Sequence, residues 1–455
     1  MKKIMVIGGV AGGATFASQL RMLDEEVEII VLEKSGTMSF ANCGMPYYLG
    51  GYVQDREQLI AATPESFKKE RNIEVRVRHE AVRIDSSKKE VVILDHIGNT
   101  QYSESYDSLV LSPGAIPVIP KIEGLSHANC YTLRAFEDML KIHEQIEANQ
   151  FKSVCIVGGG FIGLEMADNL KKRGMTVHLI QRSEHVLSVL DRDMSELIEA
   201  ELIKQGIDLY TDLTIQTIEE DGCTLHLTDG QIITADFLIL SVGVKPNHQL
   251  AKHAGLEIGT TGGVKVNEFM QTSDPSIYAV GDVIETFDFI TKQPKRVPLA
   301  WPTHRQAYLA ARHVTGNPVP YKGSLGTAIC KVFTLHAASL GLNEEHLHES
   351  GLSFETVTQD SKQHAGYFPG AAPLRLKVHF SPENGTIYGA QAVGKDGVDK
   401  RIDVIAAAIA GGLTVTDLQD IEIAYAPPFS SPKDPVNMIG YKAIKKMNLD
   451  KSKYK

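Results

Sequence analysis

Val154-Cys155-Ile156-Val157-Gly158-Gly159-Gly160-Phe161-Ile162-Gly163-Leu164-Glu165 decides the fold of this chain. A short apolar run, the mark of a buried strand, passes into an intact GxGxxG turn with a helix behind it. Such glycines let backbone N–H groups approach a pyrophosphate at a helix N-terminus. Val177-His178-Leu179-Ile180 is the next strand, and it ends in Gln181-Arg182-Ser183. The acid that would select an unphosphorylated ribose is missing. Gln181 removes a charge that repels a 2′-phosphate, and Arg182 is placed to bind one. An exposed arginine at a strand end is the plainer alternative. The pattern predicts NADPH acceptance with NADH use left open, and contacts from Gly158, Gly160, Phe161, Ile162, Gly163, Glu165 and Arg182.

A related unit opens the chain. Ile4-Met5-Val6-Ile7 leads into Gly8-Gly9-Val10-Ala11-Gly12-Gly13, and a small-residue helix runs from Ala14 to Leu23. Glu28-Ile29-Ile30-Val31-Leu32 is a second buried strand ending on Glu33. Strand, turn, helix, strand, acid is the order of a dinucleotide fold, with Glu33 set to hydrogen-bond ribose hydroxyls. Val10 departs from the pattern where a second glycine is usual, and alone the segment would serve equally as a tight turn. The second copy at Gly158 favours the nucleotide reading.

Leu109-Val110-Leu111-Ser112-Pro113-Gly114 and Phe237-Leu238-Ile239-Leu240-Ser241-Val242-Gly243 are further buried strands with small-residue turns. Ile277-Tyr278-Ala279-Val280-Gly281-Asp282 ends on an aspartate suited to accept the ribityl hydroxyls of a flavin. The order of these pieces predicts an FAD-binding domain over 1–120 and 249–325, interrupted by an NAD(P)H-binding domain over 121–248. From 326 to 455 the pattern changes to alternating strands and an Ala-rich helix, Lys400 to Ala410, which reads as a separate α+β domain. The Lys-rich end, Lys442 to Lys455, reads as a solvated tail.

The bulk numbers set limits on function. With 455 residues, 43% hydrophobic and 22% charged, the chain suits two or three soluble domains. A net charge of −10 gives no support for a nucleic-acid surface. The five cysteines form no CxxC pair and no zinc spacing, and the histidines, His346 and His348 included, have no helical metal spacing. No apolar run approaches the roughly 20 residues of a membrane span. The expected setting is cytoplasmic, with no membrane partner and no metal.

At this point the chain resembles the flavoprotein disulfide reductases that carry two dinucleotide-binding domains, over essentially its whole length. Within that group it is similar to the coenzyme A disulfide reductases. Three segments carry the closer resemblance: Ser39-Phe40-Ala41-Asn42-Cys43-Gly44, His364-Ala365-Gly366-Tyr367-Phe368-Pro369-Gly370, and Tyr425-Ala426-Pro427-Pro428-Phe429-Ser430-Ser431-Pro432-Lys433-Asp434. The implied fold is α/β, with two Rossmann-like domains and a C-terminal α+β dimerisation domain. The implied protein is a homodimer with composite active sites, in which Tyr367 and Tyr425 come from the partner subunit. A C-terminal rhodanese module, present in some relatives, is not expected here. Further cofactor contacts are expected at Lys34, Asn42, Pro113, Gly114, Gly243, Gly281, Ala300 and Tyr425.

Disulfide-active flavoenzymes often carry a second cysteine five residues after the first, and here Tyr48 holds that place. Cys43 must therefore work without a dithiol partner, and the C-terminal region offers no His–Glu pair. The resemblance implies a cycle through a Cys43–S–S–CoA mixed disulfide, so the substrate supplies the second sulfur. Cys43 lies before Pro46, a residue suited to the first turn of a helix, and a helix N-terminus lowers a thiol pKa. The Gly/Pro-rich turn argues against an inert buried cysteine. Tyr425 and Tyr367 are candidates to protonate or orient the departing CoA thiolate, with interface packing as the alternative. Substrate contacts are implied at Thr15, Gln19, Ser39, Asn42, Arg71, His304 and Lys433. Where a related protein has an arginine this chain has Met22, with Arg21 beside it as a substitute. Each of these charged residues would otherwise pass for an ordinary surface group.

Other readings compete. An NAD(P)H oxidase or peroxidase would cycle Cys43 through a sulfenic acid, but peroxidase-type relatives place a histidine in the first glycine turn, and Gly8 to Gly13 has none. A CoA-linked persulfide or polysulfide reductase would use the same thiolate. A non-catalytic flavin redox sensor would have no need of the second nucleotide turn.

Overall fold

The computed structural model describes residues 2–447. It divides into two compact units. The first comprises Met1–Lys121, Cys130–Phe151 and Ile239–Ser324; the second comprises Ile122–Asn129, Lys152–Leu238 and Leu325–Lys455.

The first unit is built on a five-stranded parallel sheet in the order Ile277–Ala279, Ser108–Leu111, Lys3–Ile7, Glu28–Glu33, Glu74–Val77. Its central strands are almost wholly buried, which explains their unbroken apolar runs: a parallel sheet is covered on both faces. Parallel register sets Ile7 level with both Leu32 and Leu111. The Gly8 turn, Glu33 and Ser112 therefore gather at one edge, where ligands of open α/β sheets bind. Helix Ala11–Leu23 buries Phe16, Ala17 and Leu20 and packs against helix Ala300–Val314. An antiparallel layer, His79–Asp85, Glu90–Asp95 and Thr100–Ser105, completes this unit.

The second unit repeats the motif. Ser153–Val157, Thr176–Gln181 and Asp208–Thr211 are parallel neighbours, with helix Phe161–Lys172 after the glycine turn. Its other half is an antiparallel sheet in the order Ala328–Val332, Leu335–Gly341, Ile387–Gly394, Pro373–Phe380, Glu355–Lys362. Helix Val398–Ala410 packs on strands Leu335–Gly341 and Ile387–Gly394, and helix Pro435–Lys446 packs on strand Glu355–Lys362. The expected solvated tail is thus corrected for its first turn. Lys442 donates from Nζ to Thr358 O (2.8 Å) and Lys446 pairs with Glu355 (2.9 Å), so both extend the sheet-packed helix. The rest of that segment, from Asn448, lies outside the described residues.

A buried charge cluster joins the two halves of this unit. Asp191 lies at the N-terminus of helix Arg192–Lys204 and donates its backbone N–H to Gln391 Oε1 (2.8 Å). Its carboxylate meets Lys377 Nζ (2.8 Å) and His379 Nε2 (2.9 Å), two strand residues with side chains no more than 6% exposed. Lys377 also contacts Asp193 (2.8 Å) and Glu344 (3.0 Å). Burial pushes the Asp191 carboxyl up, but the hydrogen bonds and charge of His379 and Lys377 outweigh it and hold the carboxyl well below its ordinary range. A depressed carboxyl contributes stability that is complete above about pH 4 and fades as the pH falls through its folded-state value. Replacing Asp191 by Asn leaves Lys377 and His379 facing each other without the central anion. The expected loss is about 3 kcal/mol at neutral pH, with a shallower dependence on acid, measured by urea denaturation across a pH series.

Candidate active site

The first turn needs its glycines. Gly8 has φ +99°, and a Cβ there would lie 2.1 Å from Ser112 O. A Cβ on Gly13 would lie 1.8 Å from Gly8 O. Val10 sits where the helix begins and takes an ordinary negative φ, so the departure from GxGxxG is accommodated. Gly9 is held on both sides. Its N–H donates to Glu33 Oε2 (2.7 Å), and its carbonyl accepts from Ser39 N–H (2.9 Å). Glu33 Oε1 accepts from the Ser35 N–H and hydroxyl (2.8 and 2.7 Å).

The second turn repeats this device atom for atom. Gly159 N–H donates to Gln181 Oε1 (2.8 Å), and Gly159 O accepts from Leu187 N–H (2.9 Å). Ser39 and Leu187 each stand six residues after Glu33 and Gln181, and each has a left-handed backbone (φ +44° and +48°). An amide oxygen thus braces the second turn as a carboxylate braces the first, without the charge. Arg182 is exposed and makes no hydrogen bond or ion pair among the described residues. A Cβ built on Gly160 meets nothing within 4 Å, so the space over this turn is open. Gly163 is buried in the following helix, whose Ile162 is exposed beside Phe161. Glu165 accepts the Asn169 side chain on its carbonyl.

In the first unit Ser39 also opens the cysteine loop. Its carbonyl accepts from Ala61 and Ala62, and Phe40 packs edge-on against Phe136 (5.6 Å). Cys43 is exposed in the 3-10 turn Asn42–Gly44, which runs directly into helix Met45–Leu49. That helix has only five residues. The predicted lowering of the thiol pKa by a helix N-terminus thus has less dipole behind it than the sequence suggested. Tyr48, at the sequence position a second thiol would take, packs against the His143 ring (5.1 Å). None of the five cysteines is in a disulfide, and only Cys43 is exposed. Burial pushes the Cys130 thiol up to about 11 and Cys330 to about 12, so neither supplies thiolate at neutral pH.

Arg134, which no motif announced, links this loop to Asp282. Asn42 Nδ2 donates to Arg134 O (3.2 Å), and Arg134 Nη2 reaches Asp282 Oδ2 (2.8 Å). Burial pushes the Asp282 carboxyl up, against the pull of the Arg134 charge. Gly281 takes φ +82° and donates to Gln306 Oε1 (2.9 Å). Gly114, beside Pro113, approaches Arg134 so closely that a Cβ would lie 2.8 Å from its Nη2. Gly243 (φ +100°) has open space above it, and Ala300 opens the helix that carries His304. Lys34 is turned to Glu80 (2.7 Å).

Thr15 and His304, far apart in sequence, meet through Oγ1 and Nδ1 at 2.7 Å. Gln19 lies one turn beyond Thr15, and Met22 is exposed near the end of the same helix. Arg71 is half-buried with its guanidinium over the Phe67 ring. Arg21 corrects the expectation that it stands in as a substrate contact. Its guanidinium donates to the carbonyls of Asp24, Glu25, Val27, Arg71 and Asn72, and all five N–H groups are engaged. It ties two helix ends together and has no donor left for a ligand.

In the second unit the Tyr367 and Tyr425 hydroxyls are 3.4 Å apart, on exposed rings. The hydrogen bond from Tyr367 pushes the Tyr425 phenol up. Lys433 is exposed on the same segment as Tyr425. Tyr425 borders a cavity of about 690 Å³ that is also lined by His364, Lys395, Lys400 and Phe429. Among the described residues no helix is long and apolar enough to cross a membrane.

Two nucleotide turns, one exposed cysteine and a C-terminal sheet domain define a class. The chain belongs to the pyridine nucleotide-disulphide oxidoreductases: residues 2–306 match that family and residues 327–435 match its dimerisation domain. It is 41% identical to a coenzyme A disulfide reductase of Staphylococcus aureus (strain bovine RF122 / ET3-1), over 97% of this chain and all of that protein. Its fold superposes on reduced Bacillus anthracis CoADR-RHD with a TM-score of 0.97 and 45% identity, covering 98% of this chain and 81% of that one. An NAD-dependent persulfide reductase from A. fulgidus gives 0.95 and 37%, covering 98% and 83%. FAD and NAD(P)H are the cofactors expected of the family, and the residues fit them: a glycine cradle braced by a buried acid, an open second turn, and a half-buried Asp282 carboxylate. With Arg21→Met we expect a stability loss of at least about 2 kcal/mol and an unchanged substrate KM, from melting curves and steady-state kinetics.

Proposed function

We propose that this protein reduces coenzyme A disulfide to two CoA thiols with NAD(P)H, through Cys43. The observation that carries this reading is the single exposed cysteine, Cys43, with Tyr48 in the place of a second sulfur. FAD would be held by the domain formed from 1–120 and 249–325, through the Gly8 turn, Glu33 and Asp282, and NAD(P)H by the Gly158 turn within 121–248. When bound, the flavin relays two electrons from the nicotinamide to a disulfide.

The chain's own residues do the rest. The Cys43 thiolate attacks one sulfur of CoA–S–S–CoA, forming Cys43–S–S–CoA and expelling one CoA thiolate. Two electrons and one proton then cleave the mixed disulfide, regenerating the Cys43 thiolate and releasing CoA–SH. A proton restores the first CoA thiolate to its thiol, so the balance is one disulfide, one NAD(P)H and one proton to two thiols. Tyr425, with its phenol held up by Tyr367, is suited to donate a proton to a departing thiolate. The pair would act from the partner subunit of a homodimer held by residues 326–455, in a composite site. Thr15, His304, Gln19 and Arg71 would orient the CoA moiety, and Lys433 would be a further phosphate contact.

The likeness to a persulfide reductase supports a second reading, in which the same thiolate attacks a sulfane sulfur. Both are tested by intact mass under non-reducing conditions. We expect a CoA-sized adduct that dithiothreitol removes and Cys43→Ser lacks. A bare or oxygenated thiol, with turnover of peroxide and none of CoA disulfide, would overturn the proposal.

For the nucleotide, Gln181 keeps the turn braced without the charge that repels a 2′-phosphate, and the Arg182 guanidinium is uncommitted. We infer that NADPH is accepted. Arg182→Glu removes one charge-assisted contact of about 1.5–3 kcal/mol. In kcat/KM for NADPH that corresponds to a loss of roughly 10- to 100-fold, with NADH little affected. An unchanged ratio in steady-state rates would assign Arg182 to the solvent.

A further inference from the structure

We propose that Arg401 is a positioning residue that holds Tyr367 and Tyr425 in register through one buried guanidinium. The proposal rests on the catalytic reading of the two tyrosines given above.

Arg401 projects from helix Val398–Ala410 and is 1% exposed, the bulkiest fully buried side chain among the described residues. Burying a cation is unfavourable unless its donors are satisfied, so the identity of its partners matters. Nη2 donates to Gln363 O (2.9 Å) and to Asp434 Oδ2 (2.9 Å), with Ser430 Oγ at 3.4 Å. Nε faces Asp434 Oδ1 (3.4 Å), and Nη1 donates to Gly397 O (3.1 Å).

These partners are the bases of the two tyrosine-bearing segments. Gln363 begins the first and closes it on itself: its side chain donates to Gly370 O (3.0 Å) and accepts from Ala372 N–H (2.5 Å). Tyr367 lies within that closed loop. Ser430 and Asp434 end the second segment, which starts at Tyr425. Ser430 donates to Asp434 Oδ2 (2.6 Å), and Asp434 Oδ1 caps helix Pro435–Lys446 at Val436 N–H (3.0 Å). One further bond joins the loops, from Ala365 N–H to Pro427 O (3.3 Å).

The tyrosine contact is the weakest part of this assembly. At 3.4 Å, between exposed rings, the two hydroxyls have little to hold them together by themselves. Only a rigid base keeps the tips in reach. A planar guanidinium can bridge a backbone carbonyl and a carboxylate at once, whereas an ammonium is a point charge without that fork. Arg401→Lys therefore keeps the charge pair with Asp434 and loses the bridge to Gln363.

The test follows the Tyr425 phenol by NMR of tyrosine ring-labelled holoenzyme, assigned with Tyr425→Phe. We expect Tyr425 in the parent protein to titrate above an ordinary tyrosine, the direction its hydrogen bond with Tyr367 gives, and Tyr367→Phe to bring it down. Arg401→Lys is expected to bring it down in the same way, with FAD content and dimer size unchanged. The kcat for CoA disulfide should fall roughly 10- to 100-fold, the penalty for a misplaced catalytic group, while KM for NAD(P)H stays constant. Should Arg401→Lys not fold, Gln363→Ala opens the Tyr367 loop alone and must lower the Tyr425 titration likewise. A folded variant with unaltered Tyr425 titration overturns the proposal. Because the titration needs no substrate, it reports on positioning even if CoA disulfide is not what the enzyme reduces.

Discussion

Everything at the first nucleotide turn depends on the two hydrogen bonds of one glycine backbone. Gly9 gives its N–H to Glu33 and its carbonyl to Ser39. The first bond fixes the turn to the end of the neighbouring strand. The second fixes the start of the cysteine loop to the turn, through a residue forced into the left-handed region. Phe40, packed on Phe136, and the Asn42–Arg134–Asp282 chain then carry that constraint from the turn to both sides of Cys43. A short backbone bond is a stiffer link than a side-chain contact, because neither partner has a rotamer to change.

The same pair of bonds at Gly159 indicates one device used twice, with its charge removed in the second copy. In the first, the brace is the Glu33 carboxylate, which also holds Ser35. In the second, Gln181 preserves the brace and leaves selection to whatever lies beside it. The mechanical brace is thus kept while the charge beside the turn differs between the two copies.

The second unit is organised by buried charge. Asp191 with Lys377 and His379 joins the nucleotide fold to the antiparallel sheet, and Arg401 with Asp434 gathers the tyrosine segments. Buried pairs are poor sources of net stability, since desolvation offsets much of the attraction. Their use here is directional: a cation that must be satisfied accepts only the arrangement that satisfies it. The Arg21 clamp in the first unit follows the same logic, with five carbonyls closing two helix ends.

The order of elements, both glycine turns and the singular status of Cys43 were legible in the sequence, because they depend on local rules. Unbroken apolar runs mark parallel strands. Glycines mark backbone that no side chain fits, and Tyr48 declares the missing thiol by itself. The sites of Thr15, His304, Tyr367 and Tyr425 were reachable only through family resemblance, since nothing in their neighbourhoods distinguishes them from surface residues. What tertiary structure alone decided were the long-range partnerships. Arg134 meets Asp282 across 148 positions, Thr15 meets His304 across 289, and Arg401 reaches both tyrosine segments at once. Arg21 was misread for the same reason: five carbonyl acceptors from two separate helix ends leave no trace in sequence pattern. A side chain's chemistry is written in its own letter, but what satisfies that chemistry is set by which distant backbone the fold brings within three ångströms.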